Sequence, residues 1–329
     1  MHLPKFEHQS PGTLKEALQL FDEYGPRAQI VAGGTDLYPR MKYGLLGPEV
    51  VISLKGVPVE SPSTLGNGEL QLDALMTLAD VVRSSVILER APLLAEAATN
   101  VASNEIRHMG TLGGNLCLET RCTYYNQSHT YQYVAPCFKR DGDRCYLIPK
   151  GKKCQAVFMA DTVPALICLD AKVETQSKAE SRQVPLKDLY TGDSLFPIAL
   201  SRGELVSKVI IPKAATHRGS GFTKFSLRGG MEFGALTVAA LLDGVDDGMT
   251  CATARIAVGS VSAKPVRAVK AEAALTGEKL SEGLLREVAK KVAAEVRPVM
   301  HHGYSAPFLR ECLEVQAYRT LTKAAAGMR

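Results

Sequence analysis

The chain has 329 residues, 46% of them hydrophobic and 22% charged, with a formal net charge of +5. That balance is too apolar for a disordered chain and too weakly basic for a nucleic-acid-binding protein. The length suggests two or three domains, and no run approaches the ~18 consecutive apolar residues of a transmembrane helix. Residues 1–9 lack the basic-then-apolar pattern of a signal peptide, so the expectation is a cytoplasmic protein without membrane association.

Residues 13–24 read as an amphipathic helix. Leu14, Ala17, Leu18 and Phe21 recur at helical spacing, Thr13 caps the start and Gly25 ends it. Residues 28–32 then form a short buried strand running into Gly33-Gly34-Thr35-Asp36, and residues 50–54 a second strand. Residues 1–55 therefore make a small α/β unit. A second region spans 56–212. It opens with an alternating strand at 69–75, a helix start at Thr77 with Asp80 three residues on, and a helix at 92–103. A glycine-rich loop, 106–116, leads into a long irregular insertion at about 117–154. Strands are expected at 155–160, 165–170, 171–175 and 205–211. Residues 212–217 read as a linker to a third unit, 218–329, with strands at 222–227 and 254–261 and helices at 266–275, 283–296 and 306–325. No internal repeat is present.

Two glycine pairs stand out. Gly33-Gly34 directly follows a strand, where the missing Cβ atoms let backbone N–H groups approach an anion and Thr35 adds a hydroxyl. Gly113-Gly114, within Thr111-Leu112-Gly113-Gly114-Asn115, offers the same chemistry. Two such loops suit the two phosphates of a dinucleotide; taken singly, each also reads as a plain turn. Neither is a Walker A sequence or a GxGxxG fingerprint.

Five of the eight cysteines fall between 117 and 154. In a reducing compartment disulfides are disfavoured. Cys122, Cys137, Cys145 and Cys154 lack the closely paired knuckles of structural zinc sites, and widely separated thiolates also suit an iron–sulfur cube. Spacing leaves zinc, cluster and incidental thiols open. Cys168, Cys251 and Cys312 sit in apolar or helical runs and are read as core. Residues 138–154 hold six Lys or Arg against two Asp, a local excess of +4, which would stabilise an anionic cluster, steer an acidic carrier, or merely form a solvated loop. Asp161 is read either as a carboxylate for a ribose or amine, or as a helix N-cap before Pro164. Lys224 either reaches a ligand or faces solvent. His301-His302 reads as a surface turn. No Ser/His/Asp arrangement and no convincing acid/base pair appears.

Residues 32–37 (Ala-Gly-Gly-Thr-Asp-Leu) and 111–116 (Thr-Leu-Gly-Gly-Asn-Leu) together resemble the FAD-binding subunits of the xanthine oxidase family of molybdenum enzymes, and residues 161–166 (Asp-Thr-Val-Pro-Ala-Leu) are similar to that family's third flavin segment. The resemblance implies an α+β fold: a two-part α/β FAD-binding domain of PCMH type, then a C-terminal α+β domain with a small antiparallel sheet and helices. It implies FAD held by Gln29, Ile30, Val31, Ala32, Gly33, Gly34, Thr35 and Asp36, by Val101, and by Thr111, Leu112, Gly113, Gly114 and Asn115, with Asp161 and Lys224 as further contacts. Cys117 is expected beside the flavin without binding iron.

The insertion, with Arg121-Cys122-Thr123-Tyr124-Tyr125-Asn126-Gln127-Ser128, resembles the β subunits of 4-hydroxybenzoyl-CoA reductases. That implies a [4Fe-4S] cluster on Cys122, Cys137, Cys145 and Cys154, and electrons arriving from a ferredoxin-like donor. It also implies a molybdopterin-bearing large subunit and a [2Fe-2S] small subunit in a dimer of heterotrimers. The organic chemistry, reductive loss of a phenolic hydroxyl from an aryl-CoA, would lie in the large subunit. The alternative is the flavin subunit of an oxidative molybdenum hydroxylase of the xanthine or CO dehydrogenase type. A zinc-stapled interaction module is the reading from outside redox chemistry.

Overall fold

The computed structural model describes residues 2–127, 135–213, 218–245 and 249–328. Residues 128–134 of the insertion and 214–217 of the expected linker lie outside them.

The first unit is a three-stranded sheet. β1 (Glu7–Gln9) leads into α1 (Leu14–Tyr24), followed by β2 (Ala28–Val31), α2 (Leu37–Lys42) and β3 (Val50–Ser53), with strand order β1-β3-β2 and every pairing parallel. α1 starts as its sequence dictates, with Thr13 Oγ1 accepting from the Glu16 amide at 3.2 Å. Its Ala17 seals against Ala28, Val50 and Ile52. All four β3 residues are buried, as the central strand of a parallel sheet requires.

The second unit contains β4 (Ser63–Thr64), β5 (Leu70–Asp73) and a run of five helices: α3 (Leu78–Arg83), α4 (Ser85–Arg90), α5 (Pro92–Thr99), α6 (Asn104–Met109) and α7 (Leu112–Leu116). After the insertion come α8 (Thr162–Cys168), β6 (Lys172–Gln176), β7 (Ser181–Pro185) and β8 (Leu205–Ile211). The five strands order as β4-β5-β8-β6-β7, all antiparallel. Thr77 caps α3 by accepting from the Asp80 amide at 3.1 Å and donating to its carboxylate at 2.6 Å.

Here the structure corrects two expectations. Residues 165–170 are not a strand; they belong mostly to α8, whose seven residues are all buried. A helix buried all round has no polar face, so its sequence carries no 3.6-residue period to read. Residues 156–160 are buried but join no sheet; among the described residues the stretch pairs through the Arg121–Val157 bridge and a hydrogen bond from the Phe158 amide to Ser262 O at 2.9 Å.

The third unit is a four-stranded antiparallel sheet, β9 (Arg218–Phe225), β10 (Leu236–Gly244), β11 (Cys251–Gly259) and β12 (Val266–Arg267), ordered β12-β11-β10-β9, with α9 (Val269–Ala273), α10 (Glu282–Glu295) and α11 (Ala306–Ala326). β10 is central and almost wholly buried. Its unbroken apolar run, lacking alternation, gave no strand signal. The expected helix at 266–275 is shortened to α9 because β12 takes its first two residues. α11 lays Leu309, Leu313, Ala317, Leu321 and Ala324 into the core against β10 and α10. The other face of β9–β11 packs on α8 and α5: Phe222, Ala239, Leu241 and Ala257 share one core with Leu94, Val163 and Leu166. The expected α+β architecture, a two-part α/β domain followed by a small antiparallel sheet with helices, is the fold of this chain.

Candidate cofactor site

The first glycine loop leaves β2 and turns at once into α2. Gly34 has φ +70°, a left-handed conformation that glycine adopts without strain. Gly33 is fixed by contact: a Cβ there would collide with the carbonyl oxygen of Met109 and stand 2.9 Å from Gly110 Cα. The loop is therefore pressed onto the end of α6. The amides of Gly34 and Thr35 donate to no protein acceptor among the described residues, and Thr35 is exposed. Gln29 is exposed on β2 and Ile30 and Ala32 are half-buried. Val31 is sealed in the core, so it offers a ligand only its backbone.

The second loop behaves differently. The Leu112 amide donates to Met76 O at 2.9 Å and the Gly113 amide to Ala74 O at 2.7 Å, while the Gly114 amide is taken by Thr111 Oγ1 at 3.1 Å. The amides expected to be free are consumed in seating α7 on the end of β5. Gly114 is exposed and Asn115 half-buried, whereas Thr111 is buried. Asn115 Oδ1 accepts from Thr162 Oγ1 at 2.6 Å, which ties the loop to the start of α8.

Asp161 immediately precedes that start. It does not cap α8, since its side chain makes no cap hydrogen bond. Its Oδ2 instead accepts from Lys224 Nζ at 2.7 Å, and the same ammonium donates to Asn100 O at 2.8 Å, beside Val101. Lys224 comes from β9, so the pair joins the second unit to the third. Asp161 Oδ1 is buried and has no hydrogen-bond partner among the described residues. Burial pushes the Asp161 carboxyl up to about 6 against the pull of the Lys224 ammonium. Both residues singled out in the sequence thus meet each other, and Lys224 does not face solvent.

The thiol insertion begins at Arg121. Its amide and carbonyl exchange hydrogen bonds with Val157, at 2.7 and 2.8 Å, closing the mouth of the insertion. Its guanidinium forms an ion pair with Asp36 and lies 4.8 Å from the centroid of the Phe233 ring. Burial lowers its pKa to about 10. Cys122, Cys137, Cys145 and Cys154 are all free and half-buried. Burial raises the Cys122 thiol, and charge on Cys154 and Cys145 raises it further. Burial likewise raises Cys154, which also feels Cys137 and Cys145. Cys122 and Cys154 thus each feel the charge of other thiols in the insertion. Even so, among the described residues no group of three or more His, Cys, Asp or Glu side chains is placed to hold a metal ion.

The local charge excess also shrinks on inspection. Lys139 is buried and donates to Glu119 at 2.9 Å and Ser194 O at 2.6 Å, and Arg144 pairs with Asp143 at 2.7 Å. Lys150, Lys152 and Lys153 are exposed without an acidic partner among the described residues. Cys168 and Cys251 are core as expected, Cys312 is half-buried, and burial pushes Cys117 up to about 12. His301 is not at the surface. It is 5% exposed, with its two ring nitrogens facing Val299 O at 2.6 Å and Ala235 O at 2.9 Å. Sequence reasoning missed Arg40, Glu119 and the contacts of Arg121, whose roles depend on partners far away in the chain.

The donor set fits a flavin dinucleotide: open amides on one loop, hydroxyl and amide side chains on the other, and an unsatisfied buried carboxylate oxygen between the units. A two-part α/β unit with such glycine turns, followed by a small antiparallel sheet with helices, defines a flavin-carrying subunit class. Residues 4–214 match the FAD binding domain in molybdopterin dehydrogenase, and residues 222–324 the CO dehydrogenase flavoprotein C-terminal domain. The chain belongs to this family, the FAD-binding medium subunits of the xanthine oxidase family of the CO dehydrogenase type.

It is 27% identical to the 6-hydroxypseudooxynicotine dehydrogenase complex subunit alpha of Paenarthrobacter nicotinovorans, over 98% of this chain and 96% of that one. It is 24% identical to the carbon monoxide dehydrogenase medium chain of Afipia carboxidovorans, over 98% and 97%. Among solved structures, carbon monoxide dehydrogenase from Hydrogenophaga pseudoflava superposes with a TM-score of 0.82 at 23% identity, covering 99% of each chain. Quinoline 2-oxidoreductase from Pseudomonas putida superposes at 0.80 and 24%, covering 100% and 99%. Among the described residues, no helix is long and apolar enough to cross a membrane.

Proposed function

We propose that this chain is the FAD-carrying electron-transfer subunit of an oxidative molybdenum hydroxylase. It assembles with a molybdenum-cofactor large subunit and a [2Fe-2S] small subunit, as a dimer of heterotrimers. The observation that carries the reading is the first glycine loop, with unpaired Gly34 and Thr35 amides inside a region that matches FAD-binding domains from end to end. The names of its relatives support the direction of flow, since nicotine 6-hydroxylase, nicotinate dehydrogenase and aldehyde oxidoreductase are oxidative enzymes. FAD, when bound, can exchange single electrons with iron–sulfur centres and pairs with a soluble acceptor.

The chain's own residues would do the holding. Residues 33–36 give backbone donors to the pyrophosphate. Asn115 and the Thr111 hydroxyl give hydrogen bonds from the second loop, where the exposed Gly114 leaves room for the ligand's approach. Asp161 offers its free Oδ1 to a donor on the ligand while Lys224 fixes its other oxygen. Gln29, Ile30, Val31, Ala32, Val101, Leu112 and Gly113 shape the walls. The test is anaerobic purification with partner chains, with flavin counted per chain. One FAD per chain, reduced by an N-heterocyclic or aldehyde substrate, is the expected result; a flavin-free complex would refute the reading.

One observation favours a second reading. Cys122 and Cys154 each feel the charge of other thiols in one insertion, which also carries the exposed Lys150, Lys152 and Lys153. In this reading Cys122, Cys137, Cys145 and Cys154 hold a [4Fe-4S] cluster and an acidic ferredoxin-like carrier delivers electrons. These run inward to reductive dehydroxylation of 4-hydroxybenzoyl-CoA or a related aryl-CoA, a step in aromatic degradation. Iron and acid-labile sulfide beyond the small subunit's centres, lost in Cys137→Ser with FAD retained, would support it. Unchanged iron in Cys137→Ser would leave the oxidative reading alone.

A further inference from the structure

A cavity of about 140 Å³ lies where three separate stretches of the chain meet. Arg121 and Asn126 line it from near the start of the insertion, Met159 from the buried run before α8, and Phe233, His301 and His302 from the third unit. All of these are described residues. Of the four thiols only Cys122 lines the space, and no residue of either glycine turn does, nor do Asp161 and Lys224.

The free polar groups of this cavity are donors. Arg121 Nε and Asn126 Nδ2 are both buried, and neither has a hydrogen-bond partner among the described residues. The Arg121 guanidinium already pairs with Asp36 through Nη2 and lies over the Phe233 ring. Asn126 spends its Oδ1 on the Cys122 amide at 3.0 Å. What each side chain has left is an N–H. A buried donor without an acceptor carries its full desolvation cost, and more so when it is charged, so two on one cavity call for an acceptor inside it.

The surroundings favour a negative one. His301 faces Val299 O at 2.6 Å and Ala235 O at 2.9 Å with its two ring nitrogens. A neutral imidazole has a single N–H, so only the imidazolium donates to both carbonyls. Burial opposes that charge, and an anion in the cavity would offset the opposition. No Asp or Glu among the described residues lines the cavity. Glu232 lies close enough to act on His302, but it pairs with Arg228 at 3.4 Å. The remaining wall is apolar, made by Leu147, Met159 and Phe233. A space of this size holds one six-membered ring, as an apolar cavity of about 150 Å³ holds benzene.

We propose that this cavity is a binding site for a one-ring aromatic carboxylate. Its two oxygens accept from Arg121 Nε and Asn126 Nδ2, in charge-assisted hydrogen bonds, and its ring lies against Phe233 and Met159. Because the same guanidinium holds Asp36, the bound acid reaches the first glycine loop through a single side chain. The inference stands whether or not FAD occupies that loop.

The test uses the complex purified with its partner chains. It is photolabelled with 4-azidobenzoate in the presence of increasing benzoate, benzamide or acetate, and labelled peptides are mapped by mass spectrometry. Label is expected on the peptides of this chain that carry Met159, Phe233 or His302. Benzoate should protect them at concentrations at least tenfold below benzamide, which lacks the charge, and acetate, which lacks the ring. Asn126→Asp keeps the acceptor for the Cys122 amide and turns the free donor into a carboxylate. It should abolish the protected label while melting temperature and FAD content stay as in the wild type. Phe233→Leu should raise the half-protecting benzoate concentration about three- to tenfold. Protected label confined to the partner chains overturns the proposal, as does benzamide protecting as well as benzoate. Protected label undiminished in Asn126→Asp also overturns it. If Asn126→Asp does not melt cooperatively, Arg121→Lys, which keeps a cation for Asp36 and loses the Nε donor, takes its place, and undiminished label there overturns the proposal. Benzoate that releases FAD mole for mole would make the cavity part of the flavin's own site and overturn the proposal while leaving the flavin reading intact.

Discussion

The two glycine turns have nearly the same composition and opposite hydrogen-bond economies. Gly33-Gly34-Thr35 leaves its Gly34 and Thr35 amides open, whereas Gly113 and Gly114 spend theirs on Ala74 O and Thr111 Oγ1. Glycine permits close approach, but it does not decide who approaches. At Gly33 the neighbour is a protein carbonyl on the inner side, which leaves the outer side for a ligand. At Gly113 the neighbour is Ala74, and the turn is a packing device with a polar rim. One turn leaves backbone donors open among the described residues, and the other has spent its backbone donors on the protein.

The largest effect is expected from Gly33→Ala. The added methyl meets the Met109 carbonyl, which is backbone and cannot rotate away, so a loop must move. We expect a loss of about 2–4 kcal/mol in stability, with FAD content falling below a tenth of wild type. Differential scanning calorimetry with flavin quantification checks both. Near-normal FAD in a stable Gly33→Ala protein would erase the contrast between the turns.

Asp161 sharpens the comparison from the side of the third segment. Its native pKa of about 6 lies above the ~3.9 of an unfolded Asp, so the native state binds the proton more tightly. That stability is full below about pH 4 and is lost as pH rises through 6, on the order of 2–3 kcal/mol for the flavin-free protein. Asp161→Asn should flatten urea-derived stability between pH 4 and 6.5. A slope unchanged by the substitution would place the pH dependence elsewhere.

Much of this site was legible in the sequence, for physical reasons that also mark the limits. Thr13, Thr77 and the glycine turns announce themselves because capping and positive φ are local demands. Asp161 and Lys224 were each visible as a polar residue beside a buried run, but their mutual contact spans two units and leaves no trace in spacing. α8 and β10 went unread because burial on every side removes the periodicity on which reading depends. Lys139 reads in the sequence only as one of six cations of the insertion, since nothing local shows that Glu119 and Ser194 O wait for it. The family motifs gave the flavin loops. The charges that tie those loops to the thiol insertion emerged only from the fold.

A smaller effect is expected at Gly113. Its added Cβ would stand 2.8 Å from Ala74 Cβ and 3.0 Å from Ala74 O. The small neighbour and the short α7 can shift by tenths of an ångström, so Gly113→Ala should cost about 1–3 kcal/mol and weaken FAD only severalfold. A loss of FAD equal to that in Gly33→Ala would mean both turns present backbone to the ligand.

The smallest effect is expected at Thr111, and it discriminates most finely. Its hydroxyl oxygen is committed to the Gly114 amide at 3.1 Å, and its proton has no protein acceptor among the described residues. Thr111→Val keeps the shape and removes both functions. Gly114 is exposed, so water replaces part of the lost cap, and the stability cost should stay near 1 kcal/mol. One lost hydrogen bond to the ligand should weaken FAD about three- to tenfold. Thr111→Ser restores the hydroxyl without the methyl and should recover both, measured by thermal melting and by FAD titration of the flavin-depleted complex. If Val lowers stability but leaves FAD affinity unchanged, the hydroxyl only caps α7, and the second turn reaches the dinucleotide through Asn115 alone.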